Sequence, residues 1–485
     1  MSIISIKFIL FVFALLIIYY CIPILNAQKV ILLAANILFY LSFGSQNLIL
    51  LFTMIIISYL CSLFLRKKPG KAALFLSILF CVAPLLLFKY YNFILSSLDA
   101  VLTKYHLPVM PFPALKLLEP LGISFFTFKI ISYLCETYKQ KLSTKYSLLD
   151  YAIYISFFPT ITSGPIDAPE TFLQQLKERK TYHHRTFVEG CLIALFGFFE
   201  KMIVADRLNP IVNHIFGNYS DYTGFPLLIT SILYSLQIYL DFSGYTLIVT
   251  GIARTMNIHC TSNFEQPYFS TSIQEFWRRW HISLSTWLKN YIYIPLGGNR
   301  KGALRKNSNL LATFFVSGIW HGAGWNFIFW GLLHGCYQVI GGLTQAIRNK
   351  LKKQLHLAET KFEHCIQIII TFLLVNFAWV IFWSSQSLTT GLHIIRSMFS
   401  LKHIHFSWLY DTGISHTEIN ILLGAGIIIW LIDYLRYHQK NLLEKFFNCN
   451  IILRYGILYF LIFSVIIMGY YGAGFDSSAF IYFQF

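Results

Sequence analysis

Several ionisable side chains lie inside apolar stretches of this sequence, where lipid or packed hydrocarbon would surround them. His321 and His334 occur in SGIWHGAGWNFIFWGLLHG (317–335), and Asp241 occurs in QIYLDFSGY (237–245). An ionised side chain at the centre of a bilayer costs about 2.5–3.5 kcal/mol on insertion scales, so each one requires a partner or a cavity. For Asp241 we favour an ion-pair or hydrogen-bond anchor between helices, and for His334 a core histidine.

His321 is the candidate for chemistry in this stretch. Glycines follow it, Trp320 and Trp325 flank it, and the apolar periodicity breaks there. Burial in an apolar wall disfavours the imidazolium, so the ring stays neutral and able to accept a proton. We therefore predict a functional role for His321.

A second histidine lies in an amphipathic segment, TSIQEFWRRWHISLSTWLKNYIYIPLGGNR (271–300). Positions spaced i, i+4, i+7 and i+11 predict one helical face, formed by Trp277, His281, Leu284 and Leu288. Off this face lie Arg278, Arg279 and Lys289. An interfacial helix that binds phospholipid headgroups explains these cations and the tryptophans, but it does not explain a histidine on the apolar face.

The composition is that of a polytopic membrane protein. Of 485 residues, 56% are hydrophobic and only 12% are charged, whereas a soluble domain carries about a quarter charged residues. Apolar stretches near the length that crosses a bilayer recur along the chain. The formal net charge of +17 is therefore interpreted as a signal of membrane orientation and not of a nucleic-acid partner. The cysteines are scattered without a CxxC pair, so neither a disulfide framework nor a metal site is predicted.

Basic residues predict which loops face the cytoplasm. Six basic loops carry 23 Lys and Arg, whereas the other long connections carry six, and such residues gather on the cytoplasmic side. With these loops in the cytoplasm, two segments leave the cytoplasmic side and return to it, 148–165 and 308–347. The apex of the second segment is at His321–Gly324. Gly318 and Gly331 begin small-xxx-small pairs that let helices pack closely there. We predict about eleven crossings plus re-entrant segments; alternatively, 308–347 makes two ordinary crossings.

Three motifs, taken together, resemble the membrane-bound O-acyltransferase (MBOAT) family. They are QIYLDFSGY, EFWRRWHISLSTWLKNYIYIPLGG and WHGAGWNFIFWGLLHG, with further agreement in FFPTITSGPIDAPETFLQQL (157–176) and in the ending FIYFQF (480–485). Within the family, the motif sequences most resemble those of the bacterial alginate and peptidoglycan O-acetyltransferase group. The resemblance implies an all-α polytopic integral membrane protein, in which transmembrane, re-entrant and amphipathic helices surround a central tunnel.

The resemblance also implies a division of the chain and of its site. Residues 1–120 would form N-terminal transmembrane helices, 121–347 the catalytic core, and 348–485 C-terminal helices with a periplasmic aromatic tail. The family's WHG histidine falls on His321 and its RRWH histidine on His281. His321 would act as the base that takes the hydroxyl proton, and His281 would orient it or polarise the acyl carbonyl.

Other residues take expected roles from the same resemblance. The acyl donor would be acetyl-CoA on the cytoplasmic side, drawn in by Arg278, Arg279 and Lys289. Residues expected to support the site or line the tunnel are Asp241, Trp320, Trp325, Asn326 and His334. No metal is expected.

The C-terminal tyrosine, Tyr482, is a candidate acyl relay. Related envelope systems load a tyrosine in a C-terminal FIY motif, and a phenol is a better leaving group than a sugar hydroxyl. A periplasmic or membrane-anchored SGNH-type acetyltransferase would then collect the acetyl group for a polysaccharide. Equally, the aromatic terminus could simply plug the helix bundle.

Two other functions compete with acetyl transfer across a bacterial inner membrane. A D-alanyl or lipid O-acyltransferase would share the fold. A transporter would also use intramembrane Asp and His residues, but it should show inverted repeats, and we find none between 1–240 and 241–485.

Overall fold

The computed structural model describes residues 1–108, 112–115, 119–356, 360–384, 387–400, 404–439 and 441–471. These residues form helices joined by turns, and no strand occurs among them. Apolar chains fold this way in lipid because a helix satisfies its backbone N–H and C=O groups internally. The predicted all-α architecture is confirmed.

Among the described residues, six helices are long and apolar enough to cross a membrane. They are Ser45–Lys67, Lys71–Lys104, Phe225–Thr255, Lys361–Trp383, His416–His438 and Ile451–Met468. Ile6–Cys21 and Leu25–Leu41 are shorter apolar helices. The chain is therefore a multi-pass membrane protein. The predicted total of about eleven crossings, which includes shorter and more polar helices, stays a prediction.

The chain divides into two compact units. The first comprises Met1–Cys191 and Val249–Thr261, and the second comprises Leu192–Ile248 and Ser262–Phe485. The helices His184–Phe198 and Phe225–Thr255 contribute residues to both units. The division predicted from the resemblance, into 1–120, 121–347 and 348–485, differs from these two units and stays a prediction.

The first unit is built from helices that precede residue 191. In chain order they are Ile6–Cys21, Leu25–Leu41, Ser45–Lys67, Lys71–Leu85, a π-helical turn Leu86–Tyr90, Tyr91–Lys104, Ile123–Tyr138, Leu148–Ser156 and Pro169–Gln175. Asn36 fixes the end of Leu148–Ser156, because its amide donates to Ser156 Oγ at 3.1 Å and accepts from Phe158 N at 2.9 Å. At about 1.5 Å per residue, this nine-residue helix is too short to cross a bilayer, consistent with a re-entrant segment.

The second unit carries the predicted site. Its helices are π-helical Phe199–Ala205, Asp206–Gly217, 3₁₀-helical Pro267–Phe269, Ile273–Arg279, Ile282–Leu288, π-helical Lys289–Tyr293, Gly302–His321, Trp325–Leu343, Gln345–Gln354, Lys361–Trp383, Leu388–Met398, Trp408–Asp411, His416–His438, Leu442–Asn448 and Ile451–Met468. The long helix Phe225–Thr255 enters it up to Ile248.

The amphipathic segment differs from its prediction. The spacing of Trp277, His281 and Leu284 predicted one continuous helix, but the helix ends at Arg279 and a second begins at Ile282. His281 adopts a left-handed conformation, with φ of 42° and ψ of 55°, which interrupts the hydrogen-bond ladder. The apolar side chains of the predicted face are nevertheless all buried. The pattern identified the buried positions correctly and the continuity of the helix wrongly.

Candidate active site

His321 is the last residue of the helix Gly302–His321. The chain is extended at Gly322, with φ of −173°, and again at Gly324 before the helix Trp325–Leu343 begins. The predicted break between two helical arms is therefore present at His321–Gly324. An imidazole at this position lies at the tip of a helical hairpin.

Two glycines let the arms of this hairpin touch. A Cβ on Gly318 would lie 2.4 Å from the carbonyl oxygen of Phe327, and one on Gly331 would lie 2.3 Å from that of Phe314. The two glycines also face each other, since a Cβ on Gly331 would lie 2.9 Å from Gly318 Cα. Only glycine permits this backbone approach, so both positions fix how close the two arms come.

Three aromatic rings surround the imidazole of His321. The ring centroids of Trp320, Trp330 and Phe382 lie 4.9, 4.9 and 5.4 Å away, and their planes are inclined at 76°, 87° and 82° to the imidazole. This edge-to-face arrangement is the preferred geometry for such rings. His321 is 4% exposed, whereas His281 and His334 are 0% exposed. Of these three histidines, only His321 has solvent-accessible surface.

His281 lies close to the same cluster. Its ring is 4.7 Å from Phe242 and 5.9 Å from Trp320, measured between centroids. The indole of Trp320 therefore contacts both His281 and His321, so the structure brings the two predicted histidines together. Burial lowers the pKa of His281 to about 3, which keeps this imidazole neutral at neutral pH.

His334 belongs to the cluster as well, through Trp277 and Trp330. Trp277 Nε1 donates a hydrogen bond to His334 Nδ1 at 3.2 Å, and the rings of Trp330 and His334 lie 5.0 Å apart. Asn326 is buried, and its Nδ2 donates to the carbonyl of Phe382 at 3.4 Å. Trp325, by contrast, is 61% exposed, so most of its indole lies outside the packed interior of the hairpin.

The three predicted donor-binding cations differ in their surroundings. Arg278 and Lys289 are exposed. The guanidinium of Arg279 pairs with Glu275 at 2.9 Å and stacks on Tyr437 at 4.9 Å from the ring centroid. Arg278 and Lys289 are therefore more available to an external anion than Arg279.

Asp241 forms part of a buried ion triad that the sequence did not reveal. Lys201 Nζ lies 2.5 Å from Asp241 Oδ1 and 2.5 Å from Asp206 Oδ1, and all three side chains are buried. Lys201 lies in the π-helical segment Phe199–Ala205, a local widening that often occurs at functional sites. The sequence predicted an ion-pair or hydrogen-bond anchor at Asp241, but it did not identify Lys201 and Asp206 as the other members.

Tyr482, the predicted acyl relay, lies outside the described residues. The last described residues are tied to the same π-helical segment, since Tyr470 N donates to the carbonyl of Met202 at 2.8 Å. Arg207 adds a hydrogen bond to the carbonyl of Met468 at 2.8 Å. These contacts fix the point from which the terminal residues begin.

The arrangement combines a hairpin-tip imidazole with a second, neutral imidazole against one indole. An imidazole held by surrounding rings is suited to proton transfer, because its orientation is already set when the reacting group arrives. Within the described parts of the chain, no group of three His, Cys, Asp or Glu side chains lies close enough to hold a metal ion.

Comparison with known proteins identifies the family. A model of the MBOAT, membrane-bound O-acyltransferase family matches residues 25–390. An Azotobacter vinelandii protein designated "probable alginate O-acetylase" is 34% identical over 429 residues, covering 87% of this chain and 83% of the relative. The peptidoglycan O-acetyltransferase of Helicobacter pylori is 34% identical over 406 residues, covering 78% of this chain and 74% of the relative.

A more distant relative has a different acyl group in its name. The teichoic acid D-alanyltransferase of Bacillus subtilis is 28% identical over 290 residues, covering 56% of this chain and 70% of the relative. All three relatives are named as acyl-transfer enzymes, and the family model spans the aromatic cluster described above. This chain belongs to the membrane-bound O-acyltransferase family and is an O-acyltransferase.

Proposed function

We propose that this protein is an O-acetyltransferase that moves acetyl from a cytoplasmic donor, acetyl-CoA, across the bacterial inner membrane to modify an envelope or exported polysaccharide. The observation that carries the proposal is the position of His321 at the hairpin break, against an indole that also contacts His281. The names of the alginate and peptidoglycan O-acetylating relatives support acetyl as the transferred group and polysaccharide as the eventual acceptor.

The proposed step uses His321 as a general base. A ring nitrogen takes the proton of the acceptor hydroxyl as its oxygen attacks the thioester carbonyl. The carbon–sulfur bond then breaks, and the departing thiolate takes the proton back from the imidazolium. His281, neutral in its buried position, would donate an N–H to the acyl oxygen or hold His321 in place. A tunnel that lets donor and acceptor reach His321 from opposite faces is part of the proposal.

Exposed cations support a polyanionic donor. Arg278 and Lys289 flank the segment that carries His281 and are exposed, and further Lys and Arg follow at 300–306. Their positive charge would attract the phosphates of acetyl-CoA and raise its local concentration. Arg279 has a smaller part in this proposal, because Glu275 already neutralises it.

Tyr482 completes the proposed path as an acyl relay. His321 would deprotonate the phenol, and acetyl would pass from the thioester sulfur to the phenolic oxygen. An SGNH-type partner on the periplasmic side would then take acetyl from the phenol ester to the polysaccharide. Replacement of Tyr482 by Phe should abolish transfer without loss of folded protein, whereas Tyr459→Phe, an exposed tyrosine in Ile451–Met468, should retain it. Acetyl on Tyr482 in mass spectra would support the relay; full transfer by Y482F would contradict it.

The central test is transfer of radiolabel from acetyl-CoA in membranes that contain wild type or His321→Ala. Loss of a general base should reduce transfer by about 10²–10⁴-fold. His364→Ala is a matched control, because His364 is an exposed histidine in Lys361–Trp383. Equal amounts of folded protein must be shown for all three. Undiminished transfer by H321A would exclude the proposed base.

D-alanyl transfer is a second candidate, because the Bacillus subtilis relative is named for it. The same membranes supplied with a D-alanyl carrier-protein thioester in place of acetyl-CoA distinguish the two. Labelled product from the D-alanyl donor alone would replace acetyl by D-alanine in the proposal.

A further inference from the structure

A buried hydrogen bond fixes the tautomer of His334. Trp277 Nε1 lies 3.2 Å from His334 Nδ1, and both side chains are buried. An indole N–H can only donate, so Nδ1 of His334 must present its lone pair. The hydrogen of the neutral imidazole is therefore on Nε2. The hydrogen bond sets both the orientation and the tautomer of this ring.

The two partners come from the two segments that carry the proposed catalytic histidines. Trp277 lies in the helix Ile273–Arg279, which ends two residues before the left-handed residue His281. His334 lies in Trp325–Leu343, the arm of the hairpin that follows His321. The Trp277–His334 hydrogen bond therefore ties one segment to the other.

Trp330 extends this connection to His321. It lies one helical turn before His334, and its ring centroid is 5.0 Å from that of His334 and 4.9 Å from that of His321. The indole is fully buried, so it has little room to tilt without moving both imidazoles. The orientation of His334 is thus passed to His321 through a single ring.

We propose that Trp277 and His334 are a positioning pair that sets the placement of His281 relative to His321. The inference rests on the proposed function, because it assigns the pair a part in acyl transfer. A small displacement of reacting groups changes kcat strongly, whereas the binding of a donor by exposed cations would change little. Loss of the hydrogen bond should therefore lower kcat and leave KM nearly unchanged.

The chain offers a matched control for the indole N–H. Trp277→Phe keeps an aromatic ring and removes the donor. Trp408 is also buried, at 3% exposed, but its Nε1 has no hydrogen-bond partner among the described residues. Trp408→Phe therefore makes the same truncation in a buried position without breaking a hydrogen bond.

The kinetic experiment compares acetyl transfer by wild type, W277F and W408F in membranes with equal folded protein. We expect W277F to lose about tenfold in kcat with KM within about twofold, the size expected for one neutral hydrogen bond, and W408F to match wild type. Wild-type kcat in W277F, or equal losses in both variants, would overturn the proposal.

A second pair of variants keeps the test decisive should W277F fold poorly. His334→Asn retains an acceptor near the position of Nδ1, whereas His334→Leu retains none. Restored kcat in H334N relative to H334L supports the positioning pair, and equal kcat in the two refutes it.

A readout that does not require activity separates this inference from the proposed function. In ¹⁵N-histidine-labelled protein, the signals of His334 are those absent from H334N. Wild type should show a single neutral tautomer with hydrogen on Nε2, and W277F a mixture of tautomers. A single unchanged tautomer in W277F would overturn the pair even if His321 proves to be the base. A mixture of tautomers in W277F together with full activity of H321A would instead refute the proposed function, while the Trp277–His334 hydrogen bond of the wild type would stand.

Discussion

Gly331 is the position where one added methyl group should most directly test the hairpin. A Cβ there would lie 2.3 Å from the carbonyl oxygen of Phe314 and 2.9 Å from Gly318 Cα. Both obstacles are backbone atoms, so no side-chain rotation relieves the clash. Ordinary contact requires the two arms to separate by about 1 Å, and overpacking of this kind costs about 1–3 kcal/mol.

Gly341 provides the control within the same helix. A Cβ at Gly341 would meet nothing within 4 Å, so Ala there should stabilise the helix by about 1 kcal/mol through its higher propensity. G331A gains the same propensity but pays for the clash. The two variants should therefore differ in stability by about 1–3 kcal/mol, with G331A the less stable.

The functional effect should exceed the effect on stability. Separation of the arms displaces His321, at their junction, and a misplacement of about 1 Å can cost about 10²-fold in rate. We would measure melting temperatures in detergent and acetyl transfer in membranes for wild type, G331A and G341A. If G331A had the melting temperature and the activity of G341A, close contact of the arms could not be what positions His321.

Three further predictions concern buried polar groups. Burial lowers the pKa of His281 to about 3, so as the pH falls this imidazole is protonated in the unfolded chain before it is protonated in the folded one. The free energy of unfolding is therefore unaffected above about pH 6.5 and decreases at lower pH, by about 2 kcal/mol at pH 5. Melting temperatures at pH 7.5 and 5 should therefore fall more steeply in wild type than in H281Q, and parallel slopes would contradict this. Lys201→Met strands the carboxylates of Asp206 and Asp241 and should destabilise the protein by about 3–5 kcal/mol in thermal unfolding; an unchanged melting temperature would show that the triad contributes nothing. Arg207→Gln removes two hydrogen bonds to backbone carbonyls and should speed amide hydrogen exchange at 465–471 by about tenfold or more, whereas wild-type exchange would exclude this anchor.

The hairpin break could be predicted because its signal is local. Glycines after His321 interrupt the apolar periodicity, and the small residues Gly318 and Gly331 recur at helical spacing on the two arms. Close approach follows from these residues wherever the arms lie in the membrane. The structure places the break and the glycine contact at the predicted positions.

The ion triad could not be predicted because its parts are distant in sequence. Asp241 lies 40 residues after Lys201, and only the packing of their helices brings the charges together. Hydrophobic periodicity also does not distinguish a π-helical turn from an α-helical one, so Phe199–Ala205 gave no signal.

The break at His281 shows a different limit. Three apolar residues and His281 matched one helical face, and all four are buried. Burial of a stripe does not require a continuous helix, because a residue in the left-handed conformation can still direct its neighbours into the same core. The periodicity therefore predicts the environment of His281 but not its backbone.

The attachment of Tyr470 and Met468 beside Met202 and Arg207 sets an upper limit on the distance between this anchor and Tyr482. Tyr482 lies 12 residues beyond Tyr470, and a fully extended chain of that length spans at most about 40–43 Å between Cα atoms. For the proposed relay, any enzyme that unloads the ester must come within this radius of the anchor. Insertions or deletions between 472 and 481 would thus tune delivery by geometry alone, with the chemistry at His321 left as it is.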